Sequence, residues 1–417
     1  MINPRLIAHL SGWIVLFTGS GFLLPLIPAY VYEDGSANWF WQSLVVSTFA
    51  GSFLLALGGK TSGHEPRYRD SLAVVSLSWF LISFMGALPF IFSGLLDPWS
   101  AIFESFSGYS STGATAIADL RIIPKGLLFW RAVIQWFGGM GIIVLMVAVL
   151  PFLGVGGQIM LKSELSGPTS DKIRPRVAQS AKILWGMYLS LTVILIIFLM
   201  FGGLNFFDAL CQALVTISTG GFSNYNESAG YHDSRYIQSV ILAFMFFGAI
   251  SISLYWQALI GNWRALLLNA EVLFLIGILL FCSSIAAANL VWTGTISSPG
   301  EAFFQALFQA TTVASTTGQF SADWTSWPFL AQAMIFFLFF VGGCSGSTSG
   351  GVKCVRWLLL FKSIYRACRR MIHPRGVFPV RIQGKNISEQ TLESVCLFFL
   401  VYFLTMAICT LIVTATG

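Results

Sequence analysis

Charged residues are scarce in this 417-residue chain: Asp, Glu, Lys and Arg together make up only 10% of it. So few charges cannot cover the surface of a large water-soluble domain. Hydrophobic residues make up 56%, and Phe and Trp number 38 and 14. They occur in long apolar runs of roughly 20 residues, the length at which a helix crosses a bilayer core. The composition therefore predicts an all-α polytopic membrane protein without a sizeable aqueous domain.

The chain also lacks the sequence patterns of enzymes and cofactor sites. It contains no Walker sequence, no GxGxxG between a strand and a helix, and no catalytic triad, and its four His residues are scattered. Its seven Cys residues form no CxxC pair and have no His at ligand spacing, so we interpret them as small core residues. We expect no enzymatic activity, no cofactor and no nucleic-acid partner; any ATP or NAD(H) dependence would reside on another subunit.

Nine apolar segments are long enough to span a membrane. They cover approximately residues 7–31, 39–58, 71–95, 127–154, 178–202, 236–260, 270–292, 327–366 and 392–414. With a cytoplasmic N-terminus, most of the 23 Lys and Arg residues fall on cytoplasmic segments, and only Arg121, Lys125, Arg131 and Arg235 fall on or near the outside. This distribution predicts that orientation, with the basic segment from 366 to 385 near anionic lipid headgroups.

Three short sequences of Ser, Thr and Gly each follow an amphipathic stretch too short to cross the membrane: SSTGAT at 110–115, ISTGGF at 217–222 and STTGQF at 315–320. Gly113, Gly220 and Gly318 lie roughly 42 to 46 residues after the start of the preceding span, which indicates internal duplication. Glycine lets such a strand aim its carbonyl oxygens at a dehydrated cation, so the pattern predicts cation conduction. For any single loop, a helix C-cap is the alternative.

Two further features accompany these loops. Glu104 lies inside the first short amphipathic stretch, and we expect it to anchor the loop by hydrogen bonds rather than to bind a cation. The eighth span is about twice the required length, and the sequence GGCSGSTSGG interrupts it at 342–351. Backbone freed there must find partners in protein or water, so we expect a broken helix.

We interpret this Gly/Ser segment as a gate, with a static packing break as the alternative. We expect Ser345, Ser347, Thr348 and Ser349 to satisfy its backbone, and Lys353 to add a positive barrier when it is closed. Deleting part of it should raise flux and leave selectivity nearly intact. The residues concerned are Gly342, Gly343, Cys344, Ser345, Gly346, Ser347, Thr348, Ser349, Gly350 and Gly351, followed by the basic residues Lys353 and Arg356.

Several motifs resemble the membrane subunit of the Trk/Ktr superfamily of bacterial potassium transporters, of the TrkH type. They are ALPFIFSG at 87–94, IFESFSGYSSTGAT at 102–115, QWFGGMGIIVL at 135–145 and GGCSGSTSGGVKCVRWLLLFK at 342–362. The resemblance implies a two-helix preamble at 1–60, pore repeats at 61–160, 161–265 and 266–372, and a linker with the first helix of a fourth repeat at 373–417.

The resemblance also implies a function and partners. It implies potassium uptake across the bacterial inner membrane, a homodimer, and a cytosolic ring of nucleotide-binding (NAD or ATP) regulatory subunits; ion-coupled symport stays open. Gly113 is typical of the K+-conducting relatives, whereas Ser there goes with Na+. The carbonyls that would bind K+ belong to Ser111, Thr112, Gly113, Ser218, Thr219, Gly220, Thr316, Thr317 and Gly318.

The chain departs from the family pattern in one respect. A fourth loop would fall near positions 434 to 438, beyond Gly417, so only three filter loops are expected here. Potassium uptake is the main hypothesis. The alternative is a fragment or truncated, non-conducting paralogue that assembles with or regulates full-length subunits.

Overall fold

A computed structural model of the chain describes residues 3–59, 68–141 and 177–415. Most of these residues lie in helices, both long and short, so the predicted helical class is confirmed. The helices are α1 (Pro4–Ser20), α2 (Leu23–Val31), α3 (Ala37–Gly58), α4 (Tyr68–Ser93), α5 (Pro98–Tyr109), α6 (Lys125–Gly139), α7 (Val177–Phe201), α8 (Phe206–Ile217), α9 (Arg235–Gly248), α10 (Ile252–Leu259), α11 (Trp263–Leu267), α12 (Ala270–Trp292), α13 (Pro299–Ala314), α14 (Phe329–Leu338), α15 (Cys354–Ile372) and α16 (Glu389–Ala415).

Six helical stretches in the described residues are long and apolar enough to cross a membrane: Pro4–Val31, Ala37–Gly58, Ala73–Ser93, Lys182–Phe201, Ala270–Trp292 and Glu389–Ala415. Each coincides with a predicted span. Small residues let two of them approach closely, because a Cβ on Gly12 of α1 would lie 2.9 Å from the carbonyl oxygen of Gly51 of α3. This close packing of glycine faces is typical of membrane helices.

Two predicted spans need correction, and a third is described only in part. The span at 236–260 is two helices, α9 and α10, bent by 94° at the break between them. The span at 327–366 is interrupted over a longer stretch than expected, because α14 ends at Leu338 and α15 begins at Cys354. For the span at 127–154, α6 ends at Gly139 and residues 142–154 lie outside the described part of the chain, as do the predicted domain boundaries near 60 and 160.

The three short helices α5, α8 and α13 begin at strong N-caps. The Asp97 carboxylate accepts from the amides of Trp99 and Ser100 at the start of α5. Asn205 caps α8 and Ser298 caps α13 in the same way. These side chains satisfy amides that the first helical turn leaves free, so they fix where each short helix starts.

A small hydrophobic cluster joins α15, α16 and a two-residue β-hairpin. The strands β1 (Arg381–Ile382) and β2 (Lys385–Asn386) pair antiparallel. Ile382 packs with Val355 and Leu359 of α15 and with Leu392 of α16. The hairpin therefore closes the turn between these two helices.

The interpretation of the cysteines as core residues is correct for four of them and wrong for three. Cys211, Cys282, Cys344 and Cys354 are buried, whereas Cys368, Cys396 and Cys409 are exposed.

Candidate functional site

The three Ser/Thr/Gly loops share one backbone conformation. Ser111, Thr219 and Thr316 have positive φ angles of 54°, 52° and 55°, and a positive-φ glycine follows two residues later in each loop. The residue between them donates its amide back into the preceding helix with N···O distances of 2.9, 3.0 and 2.8 Å. The loops are therefore backbone equivalents, each continuing from the C-terminus of a short helix.

This equivalence corrects the alignment of the second loop by one residue. The positive-φ glycines are Gly113, Gly221 and Gly318, so the counterpart of Gly113 is Gly221 rather than Gly220. Ser218 is the C-cap residue of α8. The matching triplets are 111–113, 219–221 and 316–318. Two consecutive glycines in the second loop made the alignment ambiguous in the sequence.

Consecutive loops touch edge to edge. A Cβ on Gly113 would come closer than 3.0 Å to the carbonyl oxygen of Gly220, and a Cβ on Gly221 would come equally close to that of Thr317. Cβ atoms do not approach other atoms so closely, so only glycine fits at these two points. Loops one and three instead face a common cavity of about 560 Å³, lined in part by Ser111, Thr316, Gly350 and Gly351.

Equivalent polar side chains on the short helices support the loops. They are Glu104, Gln212 and Gln309, each seven residues before the positive-φ residue of its loop. The Gln212 amide nitrogen donates to Oε1 of Gln319 (2.9 Å), and that of Gln309 donates to the carbonyl oxygen of Ala322 (2.9 Å). Both bonds tie a buried helix to the segment that leaves the third loop.

Glu104 forms a buried ion pair. Its carboxylate accepts from Nε of Arg131 (2.8 Å), from the amide of Ala116 (2.8 Å) and from the Thr115 hydroxyl. Both charged side chains are almost completely buried, with exposed fractions of 2% for Arg131 and 0% for Glu104. These bonds agree with the predicted anchoring role of Glu104, whereas Arg131, assigned from the sequence to the outer side, is its buried partner.

Helix α6 holds the first two loops together. Besides Glu104, Arg131 donates to the carbonyl oxygen of Ser223 in the segment after the second loop (2.9 Å). One turn further, the Gln135 amide group donates to the carbonyl oxygen of Gly220 (2.6 Å) and accepts from the amide of Phe222 (3.1 Å). The Gly220 carbonyl, predicted to face an ion, is thus directed towards α6. A basic residue and an amide inside an apolar segment were the only sequence signals for these contacts.

The segment Gly342–Gly351, which we call the gating segment, lies against the loops. The Thr348 hydroxyl oxygen is 3.0 Å from the carbonyl oxygens of both Ile217 and Gly248. The amide of Gly350 donates to the Thr316 hydroxyl (2.7 Å). Helix α12 contributes one more bond, because the Glu271 carboxylate accepts from the amide of Ser345 (2.7 Å).

The break between α9 and α10 holds the other side of the gating segment. The amide of Cys344 donates to the carbonyl oxygen of Ala249 (2.8 Å), and the amide of Ile252 donates to that of Gly346 (3.2 Å). The irregular backbone of each segment thus partners that of the other. This pairing meets the requirement that freed backbone groups in a membrane protein be satisfied within the protein.

The expected roles of the polar residues in this region are only partly met. The Ser347 hydroxyl donates to the carbonyl oxygen of Cys344 (2.6 Å). In contrast, the buried hydroxyls of Ser345 and Ser349 have no hydrogen-bond partner among the described residues. The ammonium group of Lys353 donates to the carbonyl oxygen of Ser349 and so lies beside the gating segment.

Arg356 bonds to the residue that directly follows the gating segment. It donates to the carbonyl oxygen of Val352 (3.0 Å), and its guanidinium carbon lies 4.0 Å from the centre of the Phe398 ring on α16. Arg356 therefore lies beside the end of the gating segment and also joins α15 to α16; a role for it at the gate stays a prediction.

A sequence model described as "TrkH: Cation transport protein" matches residues 38–417. The chain belongs to the TrkH family. The TrkH family comprises transporters rather than enzymes.

Among relatives of this TrkH-family chain, the Trk system potassium uptake protein TrkH of Escherichia coli (strain K12) is 37% identical over 99% of this chain and 86% of its own length. The Trk system potassium uptake protein TrkG of the same organism is 32% identical over 100% of this chain and 86% of its own length. The crystal structure of the potassium transporter TrkH from Vibrio parahaemolyticus superposes with a TM-score of 0.88 at 33% identity, covering 100% of this chain and 86% of that one.

Proposed function

We propose that this TrkH-family chain takes up potassium ions across the cell membrane through the three equivalent loops. One observation carries the proposal: three loops of the same backbone conformation pack edge to edge at points where only glycine fits. Loops of this kind offer consecutive backbone carbonyl oxygens, which a filter that replaces an ion's hydration shell requires. The potassium uptake named in the E. coli relatives supports K+ as the cation.

The backbone conformation adjusts the set of residues that would line the filter. We assign it to the matching triplets, which are Ser111, Thr112 and Gly113, then Thr219, Gly220 and Gly221, then Thr316, Thr317 and Gly318. Within these triplets, the Gly220 carbonyl is engaged by Gln135 in the described conformation. The short helices α5, α8 and α13 end at the loops, so the negative ends of their dipoles favour a cation there.

The gating segment is proposed to obstruct the pathway on the cytoplasmic side of the filter. Its glycines allow it to rearrange without side-chain clashes. Gly350 and Gly351 line the cavity between loops one and three, and Lys353 places a positive charge beside the segment that would repel cations while it is closed.

The setting of the protein is part of the proposal. It would lie in the bacterial inner membrane with its N-terminus in the cytoplasm, among anionic lipids. It would work as a homodimer beneath which a ring of nucleotide-binding subunits, responding to ATP or NAD, controls the gate. The sequence motifs shared with the Trk/Ktr superfamily support these assignments.

A growth experiment tests the proposal. The chain should restore growth at low K+ to a host that lacks its own potassium uptake, whereas a non-conducting paralogue would restore nothing although it is present in the membrane. Gly113→Ser should reduce discrimination of K+ over Na+, measured as the competition of each ion with Rb+ uptake. The reason is that a Cβ at position 113 would clash with the second loop.

Gly294→Ser is the matched control for this substitution. Gly294 also has a positive φ angle, 69°, but a Cβ there meets no atom within 4 Å. Both substitutions therefore share the conformational cost of a side chain at positive φ, and only Gly113→Ser disturbs the loops. Equal selectivity of the two variants would remove the first loop from the filter.

A further inference from the structure

The gating segment is hydrogen-bonded to two of the three filter loops. The Thr348 hydroxyl oxygen lies 3.0 Å from the carbonyl oxygen of Ile217, where α8 ends, and 3.4 Å from the hydroxyl oxygen of Thr219. The amide of Gly350 donates to the Thr316 hydroxyl over 2.7 Å. The segment is thus attached to the second and third loops by direct bonds between residues more than 30 positions apart.

Two of these contacts, those with the hydroxyls of Thr219 and Thr316, end at conformationally constrained residues of the loops. Thr219 and Thr316 are β-branched and have positive φ angles, a conformation that such residues rarely adopt unless their surroundings impose it. Gly248 packs directly beside Thr219, since a Cβ on Gly248 would lie 3.0 Å from the methyl carbon of Thr219. The gating segment is therefore part of the surroundings that hold both threonines.

The first loop is held by different residues. Ser111 is the counterpart of Thr219 and Thr316, but its hydroxyl has no hydrogen-bond partner among the described residues. The first loop depends instead on Glu104, which binds Thr115 and Ala116 beyond the loop. A movement of the gating segment would consequently remove these contacts from the second and third loops and leave the anchor of the first loop unchanged. The second and third loops would then be held by their remaining bonds, which include those of Gln135 to Gly220 and of Gln212 to Gln319.

We infer that the gating segment is also a support of the filter, with Thr348 and the amide of Gly350 positioning loops two and three for K+. Opening the gate then loosens those loops, so discrimination of K+ over Na+ depends on the state of the gate. This inference rests on the proposed function of the loops. It reverses the expectation from the sequence that deleting part of the segment would leave selectivity intact.

The test removes one supporting hydroxyl at a time. Thr348→Val and Thr316→Val keep the size and branching of threonine but lose the hydrogen bond. Each should therefore lower discrimination of K+ over Na+, measured by competition with Rb+ uptake. The expected loss is about threefold to tenfold, the range for one hydrogen bond. Thr348→Ser keeps the hydroxyl and should restore most of the discrimination. Ser347→Ala removes a hydroxyl whose bond stays within the segment, and its effect should be smaller.

A second measurement does not depend on conduction. Binding of K+ at the filter should raise the melting temperature of the purified protein in K+ relative to Na+. A purely structural defect would lower the melting temperature equally in both ions, whereas lost positioning should shrink the difference between them in Thr348→Val and Thr316→Val.

The outcomes separate the two proposals. A parent chain that selects K+ in neither measurement overturns the proposed function, and this inference with it. A parent that selects K+ together with valine variants that keep its full selectivity overturns the inference alone. Selective loss in the valine variants with rescue by Thr348→Ser supports it.

Discussion

Breaking the buried ion pair between Glu104 and Arg131 should destabilise the protein more than any exposed ion pair. Arg131→Met would leave the Glu104 carboxylate buried, with Thr115 and Ala116 as its hydrogen-bond donors among the described residues. Removing one partner of a buried pair costs about 3–5 kcal/mol, because the remaining charge stays uncompensated. Glu104→Gln should fall in the lower part of that range, since the amide oxygen still accepts hydrogen bonds.

The double variant Glu104→Gln/Arg131→Met provides the decisive comparison. It leaves no unpaired charge, so its loss of stability should be smaller than the sum of the two single losses by up to about 3 kcal/mol. The free energy of unfolding can be measured for purified protein in mixed micelles with increasing SDS. Arg121→Met is the control: it breaks the pair with Asp119, whose side chains are 73% and 39% exposed, and should change stability little.

The same pair should affect ion selectivity. Arg131 joins the segments after the first and second loops through Thr115 and Ser223, so its loss should also reduce discrimination of K+ over Na+. Strictly additive losses in the cycle, or an Arg131→Met variant as stable as Arg121→Met, would refute the reasoning that this ion pair anchors the first loop.

Two further predictions concern Glu271 beside the gating segment and His232 in the loop before α9. Glu271→Ala removes the acceptor of the Ser345 amide and so one bond that holds the gating segment in place. It should raise basal Rb+ flux about tenfold, the scale of a hydrogen bond to a charged group, whereas Glu271→Gln should raise it less. Unchanged flux in Glu271→Ala would show that this bond does not hold the gate closed. Burial lowers the pKa of His232 below its ordinary 6.5. As the pH falls, this imidazole is therefore protonated in the unfolded chain before it is protonated in the folded one, and stability should fall as the pH drops below about 6.5. His232→Gln should flatten that part of the profile of melting temperature against pH. An unaltered profile would show that His232 does not cause this pH dependence.

Elements defined by local sequence were predicted well. The runs at 39–58 and 270–292 became α3 and α12 almost residue for residue, because the length of an apolar run is a property of the run alone. The short amphipathic stretch predicted before the loop at 217–222 is α8. Its N-cap, Asn205, and the glycines after it are near neighbours in sequence, so local signals were sufficient.

Features that depend on distant contacts were missed or misplaced. The bend between α9 and α10 is stabilised by backbone bonds from Cys344 and Gly346, which lie nearly a hundred residues away, so nothing in the segment 236–260 itself indicated a break. The position equivalent to Gly113 was likewise undecided, because Gly220 and Gly221 are identical in the sequence. Contact with Gln135, 85 positions from Gly220, distinguishes them.

The sequence by itself determined a helical membrane protein with three glycine loops and an interrupted span, since apolar length, caps and glycine act over a few residues. Only the tertiary structure decided which buried charges pair, which glycines face a neighbouring loop, and that the gating segment is bonded to the second and third loops. Each of these depends on which groups meet when distant segments pack. A buried polar group must find a partner wherever the fold brings one, and sequence spacing does not specify that partner.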